Sequence, residues 1–569
     1  MKLEKAIIEF TNFSFQYKAQ SKPTLKDINL TINEGEKILI VGPSGSGKST
    51  ISHCLNGLVP SFYEGEISGS LKINGLETRN QSIFELSQYV GTVLQDPDAQ
   101  FIGLSVAEDI GFKLENTGVH QSEMIETVKD ISKMVGIDRH LHSSPHQLSG
   151  GQKQRVTLGG VMVDQANILL FDEPLANLDP ATGKIAMELI EDIHQKTNST
   201  VIIIEHRLEE VLQIDMDRVI VIHDGEILAD VSTNELLSAN LLENIGIREP
   251  LYISALKYAG CEITADSEPK NIDTLKIDSY IDQLKSWFQH TDSLKSLENN
   301  EALLELKSID FGYRQNEKII HNVSFTINKG EMVSIVGKNG AGKSTISKLI
   351  CGFYQPSKGQ ILFEGKDMKG LSIKERAEHI GIVLQNPNQM ISQTSIFDEV
   401  TLGLKFRGVS QEEIKVRVMS TLKVCGLYEY RNWPISALSF GQKKRVTIAS
   451  VLVLNPNIII LDEPTAGQDY KHYNEMMEFL KELQNRGMTI IFITHDMHLM
   501  LEYTKRAIVF SDGKIIADDL AANILTNAEI VKQANLKETS LQQLAQKANI
   551  SNSVEFVHKF IEYDRRVRV

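Results

Sequence analysis

The feature that most constrains the fold of this chain is an internal duplication. Five short segments of the first half recur in the same order in the second half, at offsets of 289 to 295 residues. The clearest pair is Val41–Ile51, VGPSGSGKSTI, and Val336–Ile346, VGKNGAGKSTI. Solenoid repeats are about 20–50 residues long, so a repeat of this length excludes that architecture. The sequence therefore predicts two copies of one domain.

The duplication also gives the predicted domain boundaries. We place the two copies at residues 1–245 and 301–535. Residues 246–300 are predicted to form an acidic linker, with helical spacing around Ile281–Phe288. Residues 536–569 have apolar residues at helical spacing and predict a short C-terminal helical tail. A DNA-binding helix-turn-helix is the less favoured interpretation of that tail, because the chain is acidic.

Short apolar runs lead into the repeated motifs. In the first copy, Lys37–Gly42 ends at a glycine, Asn167–Asp172 ends on a carboxylate and Val201–Glu205 follows further along the chain. Fully apolar strands that alternate with helical segments are typical of a parallel sheet covered on both faces, so the sequence predicts an α/β fold. Such sheets bind ligands at the carboxyl ends of their strands, which is where these motifs lie.

Each copy carries a glycine-rich phosphate-binding loop after its first apolar run. The loops are Gly42–Ser49, GPSGSGKS, and Gly337–Ser344, GKNGAGKS. Their glycines let main-chain N–H groups surround a phosphate, and the helix that follows adds its positive N-terminal end. Lys48 and Lys343 supply a charge to the phosphate oxygens, and the serine after each lysine is a Mg²⁺ ligand in this motif. The sequence therefore predicts one nucleotide site in each copy.

Two adjacent carboxylates end the second apolar run of each copy. They are Asp172 with Glu173 and Asp462 with Glu463. The aspartate can hold Mg²⁺ through water, and the glutamate beside it can polarise an attacking water. Acidic caps of the next loop are the alternative, which the preceding phosphate loops make less favoured. The pattern therefore predicts nucleotide hydrolysis.

Composition and charge restrict the compartment and the class of partner. The chain has 59 Lys and Arg against 74 Asp and Glu, a net charge of −15, whereas binding a nucleic-acid backbone needs clustered basic residues. Its four cysteines lie far apart, which predicts reduced buried thiols. The N-terminus lacks the apolar core of a secretory signal, and the longest uncharged apolar stretch, Val446–Leu461, is too short to span a bilayer. We expect a soluble intracellular protein that reaches a membrane only through a partner.

The segment Leu148–Gln152, LSGGQ, narrows the family. Its serine and glycines open a helix and offer free N–H groups to a γ-phosphate. Its counterpart is Leu438–Gln442, LSFGQ. With these segments, the loops and the carboxylates, the chain resembles the ATP-binding cassette (ABC) ATPases. The resemblance implies two tandem ABC ATPase domains that hydrolyse ATP with Mg²⁺, each a P-loop parallel-sheet core with a helical signature subdomain.

The resemblance also implies roles for individual residues. Two cassettes of this family pair head to tail, which implies that the cassettes of this chain pair with each other, Lys48 facing Ser439 and Lys343 facing Ser149. The implied catalytic residues are Glu173, Glu463, His206 and His495. The implied ATP contacts are Tyr17, Gly42, Ser44, Gly45, Gly47, Lys48, Ser49, Thr50, Gln95, Ser149, Gly150, Gly151, Gln152 and Asp179 in the first copy. In the second they are Tyr313, Gly337, Asn339, Gly340, Gly342, Lys343, Ser344, Thr345, Gln385, Ser439, Gly441, Gln442 and Asp469. The implied Mg²⁺ ligands are Ser49, Gln95, Asp172, Ser344, Gln385 and Asp462.

Two positions depart from the family pattern. Phe440 replaces the first glycine of the second signature segment, where a phenyl ring needs room beside the γ-phosphate and removes the backbone freedom of glycine. Gln468 stands where the first copy has Leu178. We therefore expect the two sites to be unequal, with slower hydrolysis at the site of Lys48. Both copies keep their glutamate and histidine, so we expect neither site to be inactive.

Further segments indicate the subfamily. Gln95–Phe101, Gln385–Gln389 and Ile204–Glu210 are similar to segments of the energy-coupling factor ATPases, and Gly246–Tyr252 and Phe560–Arg566 are similar to the segments that end the two halves of their fused form. This resemblance implies the ATP-hydrolysing motor of an importer for a vitamin, a vitamin precursor or a transition-metal ion. It also implies a peripheral location on the cytoplasmic side of the cell membrane, with a transmembrane coupling protein and a small substrate-binding membrane subunit as partners.

Two alternatives stay open. The first is a soluble double-cassette ATPase that acts on ribosomes or DNA, which is less favoured because the linker is acidic and no zinc-binding cysteine pairs are present. The second is a double-cassette sugar importer ATPase, which is less favoured because both copies keep their motifs. The sequence does not specify the cargo.

Overall fold

The structure is a computed structural model that describes residues 5–94, 98, 100–163, 166–176, 178–291, 301–314, 317–465, 468 and 470–567. These residues form two compact units, one built mainly from the chain up to Trp287 and the other mainly from Phe288 onward. Each unit holds one copy of the duplicated domain. The exact boundaries at residues 245, 300 and 535 stay predictions.

The first unit contains a small and a large β-sheet with helices on the large one. Its strands are β1 (Ala6–Tyr17), β2 (Leu25–Asn33), β3 (Lys37–Val41), β4 (Gly65–Ile73), β5 (Leu76–Glu77), β6 (Val90–Val93), β7 (Ile168–Asp172), β8 (Thr200–Ile204), β9 (Arg218–His223) and β10 (Glu226–Val231). Its helices are α1 (Lys48–Leu55), α2 (Leu58–Ser61), α3 (Ile83–Ser87), α4 (Val106–Asn116), α5 (Gln121–Met134), α6 (Gly150–Met162), α7 (Pro180–Thr197), α8 (Leu208–Val211), α9 (Thr233–Ser238), α10 (Leu241–Asn244) and α11 (Leu251–Tyr258). Helix α12 (Ile281–His290) follows before the second copy begins.

The second copy repeats this element order. Its strands are β11 (Ala302–Phe311), β12 (Ile320–Asn328), β13 (Met332–Gly337), β14 (Lys358–Phe363), β15 (Lys366–Asp367), β16 (Ile380–Val383), β17 (Ile458–Asp462), β18 (Thr489–Ile493), β19 (Arg506–Ser511) and β20 (Lys514–Leu520). Its helices are α13 (Lys343–Ile350), α14 (Ile373–Arg376), α15 (Ile396–Lys405), α16 (Gln411–Val424), α17 (Phe440–Leu452), α18 (Tyr470–Asn485), α19 (Met497–Tyr503), α20 (Ala521–Leu525), α21 (Ala528–Gln533), α22 (Ser540–Lys547) and α23 (Ser553–Val567).

The two large sheets have the same topology. Their strand orders are β10-β9-β3-β8-β7-β6 and β20-β19-β13-β18-β17-β16, and every neighbouring pair is parallel except the antiparallel pair at the β10 or β20 edge. The strand that leads into each phosphate loop, β3 or β13, is an inner strand. The small sheets, β2-β1-β4-β5 and β12-β11-β14-β15, are antiparallel. The α/β fold with two tandem domains is confirmed.

The hydrophobic core of each unit lies between its two sheets. In the first unit, Ile38 and Ile40 of β3 point toward this core together with Phe15 of β1 and Ile51 of α1. The second unit has an equivalent core, built from β11, β12, β13 and α13. Residues 38–41 are all fully buried, because helices cover the other face of the sheet. The phosphate loop therefore starts from a strand with little freedom to move.

The segment predicted as a linker is folded where the structure describes it. Helix α11 buries Leu251, Tyr252 and Ile253, and the Tyr252 hydroxyl donates to the Pro269 carbonyl at 2.7 Å. Helix α12 confirms the helix expected around residues 281–288, and α22 and α23 confirm that the tail is helical.

Two further expectations concern cysteines and membrane spans. All four cysteines are buried free thiols, as predicted. No helix in the described part of the chain combines the length and the apolar character that a membrane crossing requires.

Candidate functional site

The phosphate loop of the first unit joins β3 to α1. A Cβ on Gly42 would lie 2.3 Å from the Ile222 carbonyl oxygen, and Gly47 has a φ of 108°, so only glycine fits these two positions. Helix α1 begins at Lys48, whose ammonium donates to the carbonyl oxygens of Gly42 (2.7 Å) and Pro43 (2.9 Å). The buried lysine thus bends back onto its own loop. A phosphate bound there can accept its hydrogen bonds in place of these carbonyl oxygens.

The second loop has the same geometry. Gly342 has a φ of 103°, and a Cβ on Gly337 would lie 2.0 Å from the Phe510 carbonyl oxygen. The Lys343 ammonium donates to the carbonyl oxygens of Gly337 (2.6 Å) and Lys338 (3.0 Å). Because both loops are held in this way, each unit contains a preformed cradle for phosphate at the start of a helix.

The two tyrosines predicted to contact adenine lie beside these loops. The Tyr17 hydroxyl is 3.1 Å from Thr50 Oγ1, and the Tyr313 hydroxyl is 3.1 Å from Thr345 Oγ1. Each threonine belongs to the first turn of the helix that follows the loop. The structure therefore brings the tyrosine and the phosphate loop together in both units.

Sequence reasoning missed a second aromatic ring at each of these places. Tyr63 packs edge-on against Tyr17 at 6.0 Å between ring centroids, and Tyr354 packs edge-on against Tyr313 at 5.2 Å. Tyr63 also stacks on His53 at 4.6 Å. The two tyrosines lie 15 residues after Lys48 and 11 residues after Lys343, at positions that do not align between the copies, so the duplication gave no signal for them.

Asp172 and Asp462 end β7 and β17, as predicted. Burial raises the pKa of each to about 6, and the charge of the adjacent glutamate adds to this effect. Lys48 in the first unit and Lys343 in the second oppose the shift. Each aspartate is thus a partly buried carboxylate beside a second carboxylate, an environment that a cation stabilises.

The glutamates next to these aspartates have an unusual backbone conformation. Glu173 has a φ of 48° and Glu463 a φ of 44°, in the left-handed region that non-glycine residues rarely adopt. Their N–H groups donate to the carbonyl oxygens of Ile204 (2.8 Å) and Ile493 (2.9 Å) in the neighbouring strands. Such strain persists only where the surrounding structure holds it, and it is common at functional sites.

In the second unit the predicted glutamate and histidine bind each other. His495 Nδ1 lies 2.6 Å from Glu463 Oε1, and Thr494 Oγ1 donates to Glu463 Oε2 at 3.0 Å. Although burial raises the pKa of Glu463, His495 and Lys343 lower it by more, so the pKa lies below its ordinary value. The carboxylate is therefore charged and fixed in orientation.

In the first unit an additional carboxylate lies beside the predicted pair. His206 Nδ1 lies 3.2 Å from Glu205 Oε1 and 3.8 Å from Glu173 Oε1. Glu205 is fully buried and also accepts from the main-chain N–H groups of Leu175 (3.3 Å), His206 (2.9 Å) and Arg207 (3.3 Å). Burial lowers the pKa of His206, but Glu205 and Glu173 raise it by more, so the pKa lies above its ordinary value.

The signature segments open helices α6 and α17. The main-chain N–H of Ser149 donates to Gln152 Oε1 (3.0 Å), and that of Ser439 donates to Gln442 Oε1 (3.0 Å). In the first unit, Ser149, Gly151 and Gln152 line a cavity of about 180 Å³ with residues of α7. Phe440, the departure in the second segment, is 43% exposed. Both segments thus present the start of a helix, as predicted.

Several remaining predicted residues can be placed only in part. Gln95 and Asp469 lie outside the described residues. Asp179 is buried and caps α7 by accepting from the Thr182 N–H at 2.9 Å. The Gln385 carbonyl accepts a hydrogen bond from Lys444 at 2.6 Å. Lys444 is fully buried and also donates to the Glu463 carbonyl at 3.0 Å.

Sequence reasoning missed both Lys444 and Glu205. Each stands at a position where the two copies carry different residue types, Gln154 for Lys444 and Thr494 for Glu205. Comparing the copies position by position would have singled them out, whereas neither belongs to a motif that marks a nucleotide site.

Known proteins resemble this chain over its whole length. The family model described as ABC transporter matches residues 25–176 and 320–466, and a second one, described as ATP-binding cassette cobalt transporter, matches residues 239–311. An ABC transporter ATP-binding protein of Clostridium perfringens is 61% identical over 564 residues, which cover 99% of both chains. One of Enterococcus faecalis is 55% identical over 567 residues, which cover 100% of both chains.

A solved structure was also matched, that of cbiO1 from Clostridium perfringens, described as part of the ABC transporter complex cbiONQ. It is 32% identical, with 44% of this chain and 99% of that chain covered and a TM-score of 0.39.

The two segments that match the ABC transporter model contain both phosphate loops, both signature segments and both strand-end carboxylate pairs. Relatives more than 50% identical match the chain from end to end. The chain therefore belongs to the family of ABC transporter ATP-binding proteins, which are ATPases, and carries two of their ATPase domains in tandem.

Proposed function

We propose that this chain is the ATP-hydrolysing motor subunit of an importer of the energy-coupling factor type, which takes up a vitamin, a vitamin precursor or a transition-metal ion. The observation that carries the proposal is the match of residues 239–311 to the model described as ATP-binding cassette cobalt transporter. This segment lies between the two general ABC matches, so it supports a subfamily rather than the family as a whole.

In each proposed site, residues of the chain hold ATP. Lys48 and Lys343 donate to the β- and γ-phosphate oxygens in place of the loop carbonyls that they bind in this structure. Mg²⁺ fits the donors present, because serine hydroxyl and aspartate oxygens are the hard ligands that it takes, and because Asp172 and Asp462 are partly buried carboxylates whose charged form a cation stabilises. Bound Mg²⁺ supplies charge neutralisation of the phosphate oxygens.

Glu173 and Glu463 orient the attacking water in this proposal. The carboxylate of Glu463 is fixed on one oxygen by His495 and on the other by Thr494. A fixed carboxylate loses less freedom when it accepts a proton from water, which is how position contributes to catalysis. In the first site His206 lies near both Glu205 and Glu173, and the same role is assigned there to Glu173.

A rigid apolar loop of the first unit supports docking of a membrane partner. Ile102 is 65% exposed and Leu104 is 85% exposed, and both lie shortly after the Gln95 segment. Asp109 accepts from the Ile102 N–H at 2.9 Å and Glu108 from the Leu104 N–H at 2.9 Å, so the loop is fixed at the start of α4. Exposed apolar side chains on a fixed loop are typical of a protein interface. We assign this loop to a cytoplasmic helix of the transmembrane coupling protein.

The second copy provides a matched control for this docking loop. Its equivalent residues are Ser392 and Thr394, on a loop whose N–H groups are held by Glu399. Replacing Ile102 by serine and Leu104 by threonine should therefore keep the loop and remove its apolar contact. We expect ATP binding to stay unchanged. The amount of coupling protein that is retained should fall at least about tenfold, because two apolar side chains that become buried on docking contribute about 1.5–3 kcal/mol each. Unchanged retention would contradict the docking role.

The importer is tested directly by purification of the tagged chain from detergent-solubilised native membranes, with mass spectrometry of the proteins retained. The proposal expects a polytopic coupling protein and a small hydrophobic subunit, which places the chain peripherally on the cytoplasmic side of the cell membrane. Recovery of ribosomal proteins without a membrane protein would refute the importer and leave the ATPase assignment intact.

A further inference from the structure

Lys444 is a buried cation outside the residues that the family pattern assigns. Its side chain extends from α17, the signature helix, and is 0% exposed. Its ammonium donates to the carbonyl oxygens of Gln385 (2.6 Å) and Glu463 (3.0 Å). This nitrogen therefore joins three parts of the second unit. They are the signature helix α17, the glutamine segment that begins at Gln385 after β16, and Glu463 after β17.

A buried ammonium ion at this position raises the free energy of the folded state unless its N–H groups are hydrogen-bonded. The first unit shows a neutral solution, since Gln154 stands at the equivalent position and its amide donates to the Pro174 carbonyl at 2.9 Å. The charge in the second copy is therefore not required by the fold.

In the first unit, an ion pair at the surface connects the signature helix α6 to Asp98, which belongs to the segment Gln95–Phe101. Lys153, the residue before Gln154, lies 2.6 Å from Asp98, whose side chain is 50% exposed. Exposed ion pairs contribute little, about 0–1 kcal/mol. The two copies thus connect the same two segments with neighbouring lysines, loosely at the surface in the first copy and in the core in the second.

Lys444 binds the main chain at a strained residue. The φ of 44° at Glu463 is unusual for a residue with a Cβ, and strain of this kind persists only when neighbouring groups hold the main chain. Lys444 holds the carbonyl of this residue, while the Ile493 carbonyl holds its N–H at 2.9 Å. Glu173 has a φ of 48° although Gln154 stands at the position equivalent to Lys444, so Lys444 does not create this conformation but fixes it to the signature helix.

We propose that Lys444 is a positioning residue of the second active site, which fixes the main chain of Gln385 and Glu463 to the signature helix so that the two segments move together. It touches no reacting atom. A displacement of the glutamine segment is carried through Lys444 to the carboxylate that orients water. The inference rests on the site roles proposed above for Glu463 and Gln385, and it is independent of the importer.

The test uses the full chain with Glu173→Gln, so that turnover reports the second site. Lys444→Met removes the ammonium but keeps the length of the side chain, and Lys444→Gln copies the first unit. Lys443→Met is the matched control, because this adjacent lysine is partly exposed. We expect Lys444→Met to lower kcat at least about tenfold with KM for MgATP within about twofold, since small misplacement of a catalytic group costs up to about 100-fold. Lys444→Gln should lie between it and the parent, and Lys443→Met should match the parent.

Thermal unfolding and hydrogen exchange separate positioning from a structural role. Lys444→Met leaves the Gln385 and Glu463 carbonyls without this donor, so we expect Tm to fall, and kcat is compared at a temperature where parent and variant are both fully folded. Exchange should become faster in residues 380–391 and 458–465 together. An unchanged kcat at that temperature, a loss of kcat that disappears on further cooling below Tm, or faster exchange in only one of the two segments would overturn the proposal. If Lys444→Met does not fold, Lys444→Gln carries the same comparison.

A failure of the site assignment is distinguishable from a failure of this inference. If adding Glu463→Gln to the Glu173→Gln chain leaves turnover unchanged, the proposed role of Glu463 is wrong. If that addition abolishes turnover and Lys444→Met leaves kcat unchanged, the site assignment stands and the role of Lys444 is refuted.

Discussion

Replacing Glu205 by glutamine should loosen the end of β8 without affecting the second copy. The Glu205 carboxylate accepts three main-chain N–H groups at 2.9–3.3 Å, and its Oε1 lies 3.2 Å from His206 Nδ1 as an ion pair. An amide keeps one acceptor oxygen and places N–H against the Leu175 N–H that now donates to the other oxygen. Hydrogen bonds to a charged group contribute about 1.5–3 kcal/mol, against about 0.5–1.5 kcal/mol for neutral ones. Losing one of the three bonds should therefore by itself cost about 1.5–3 kcal/mol of local stability, and weakening the other two adds to this loss.

This cost should depend on pH. Burial lowers the pKa of His206, but Glu205 and Glu173 raise it by more, so the folded pKa exceeds the unfolded value. A group with a raised folded pKa contributes stability that is fully present below the unfolded pKa, about 6.5 for histidine, and is lost as pH rises through the folded pKa. Glu205→Gln removes part of that contribution. We therefore expect a larger loss of stability at pH 6 than at pH 9.

Amide hydrogen exchange measures this effect with an internal control. A loss of at least about 1.5–3 kcal/mol corresponds to exchange that is at least about 10- to 150-fold faster in residues 200–212, once intrinsic rates are corrected for pH. Residues 489–501 of the second copy should exchange as in the parent. Glu210→Gln, the same substitution on the following helix, should leave both segments unchanged. Unaltered exchange in residues 200–212, equal acceleration in both copies, or a larger effect at pH 9 would refute the reasoning.

Three further predictions test the sites and the packing. Glu173→Gln and Glu463→Gln should each lower ATP turnover while leaving it measurable, and the double variant should lose at least about 100-fold in a phosphate-release assay; complete loss in one single variant with none in the other would contradict two active sites. Arg376 is 1% exposed and donates to three main-chain carbonyls, so Arg376→Leu, which copies the first unit, should cost about 2–4 kcal/mol of unfolding free energy in urea titrations. Gly513→Ala should lower the melting temperature of the protein far more than Gly330→Ala. Both glycines have a φ near 70°, but only a Cβ at residue 513 would overlap a carbonyl oxygen, at 1.9 Å. Equal melting temperatures of the two variants would contradict this.

The fold and the residues of the phosphate loops could be predicted from the sequence, and the reason is physical. A phosphate loop, an apolar strand and a strand-end carboxylate are local patterns, and a parallel sheet brings strand ends to one edge whatever the rest of the chain does. The structure accordingly places Lys48 at the start of α1, after the loop that follows β3, and Asp172 and Glu173 at the end of β7, with the equivalent residues of the second copy at α13 and β17. The roles given to these residues stay predictions.

The features that sequence did not predict depend on contacts between distant segments. Whether Lys444 is a surface lysine or a buried cation is decided by carbonyls 59 residues and 19 residues away along the chain. In the sequence, Glu205 is an ordinary residue at the end of a predicted strand. Only the fold shows that the Leu175 N–H donates to its carboxylate. Helix α11 lay in a segment interpreted as a linker, because its composition gives no sign of the Pro269 carbonyl that binds Tyr252. No local pattern carries this information.

The presence of both copies in one polypeptide has a consequence for assembly. Cassettes translated from separate genes can associate as like pairs as well as unlike pairs, and their ratio follows the expression of each gene. In this chain every molecule supplies one loop with Ile102 and Leu104 and one with Ser392 and Thr394, always one to one. If these loops dock a partner as proposed, a partner with two different docking helices would find one loop of each kind on every molecule, and natural selection can act on the difference between the copies without changing their ratio.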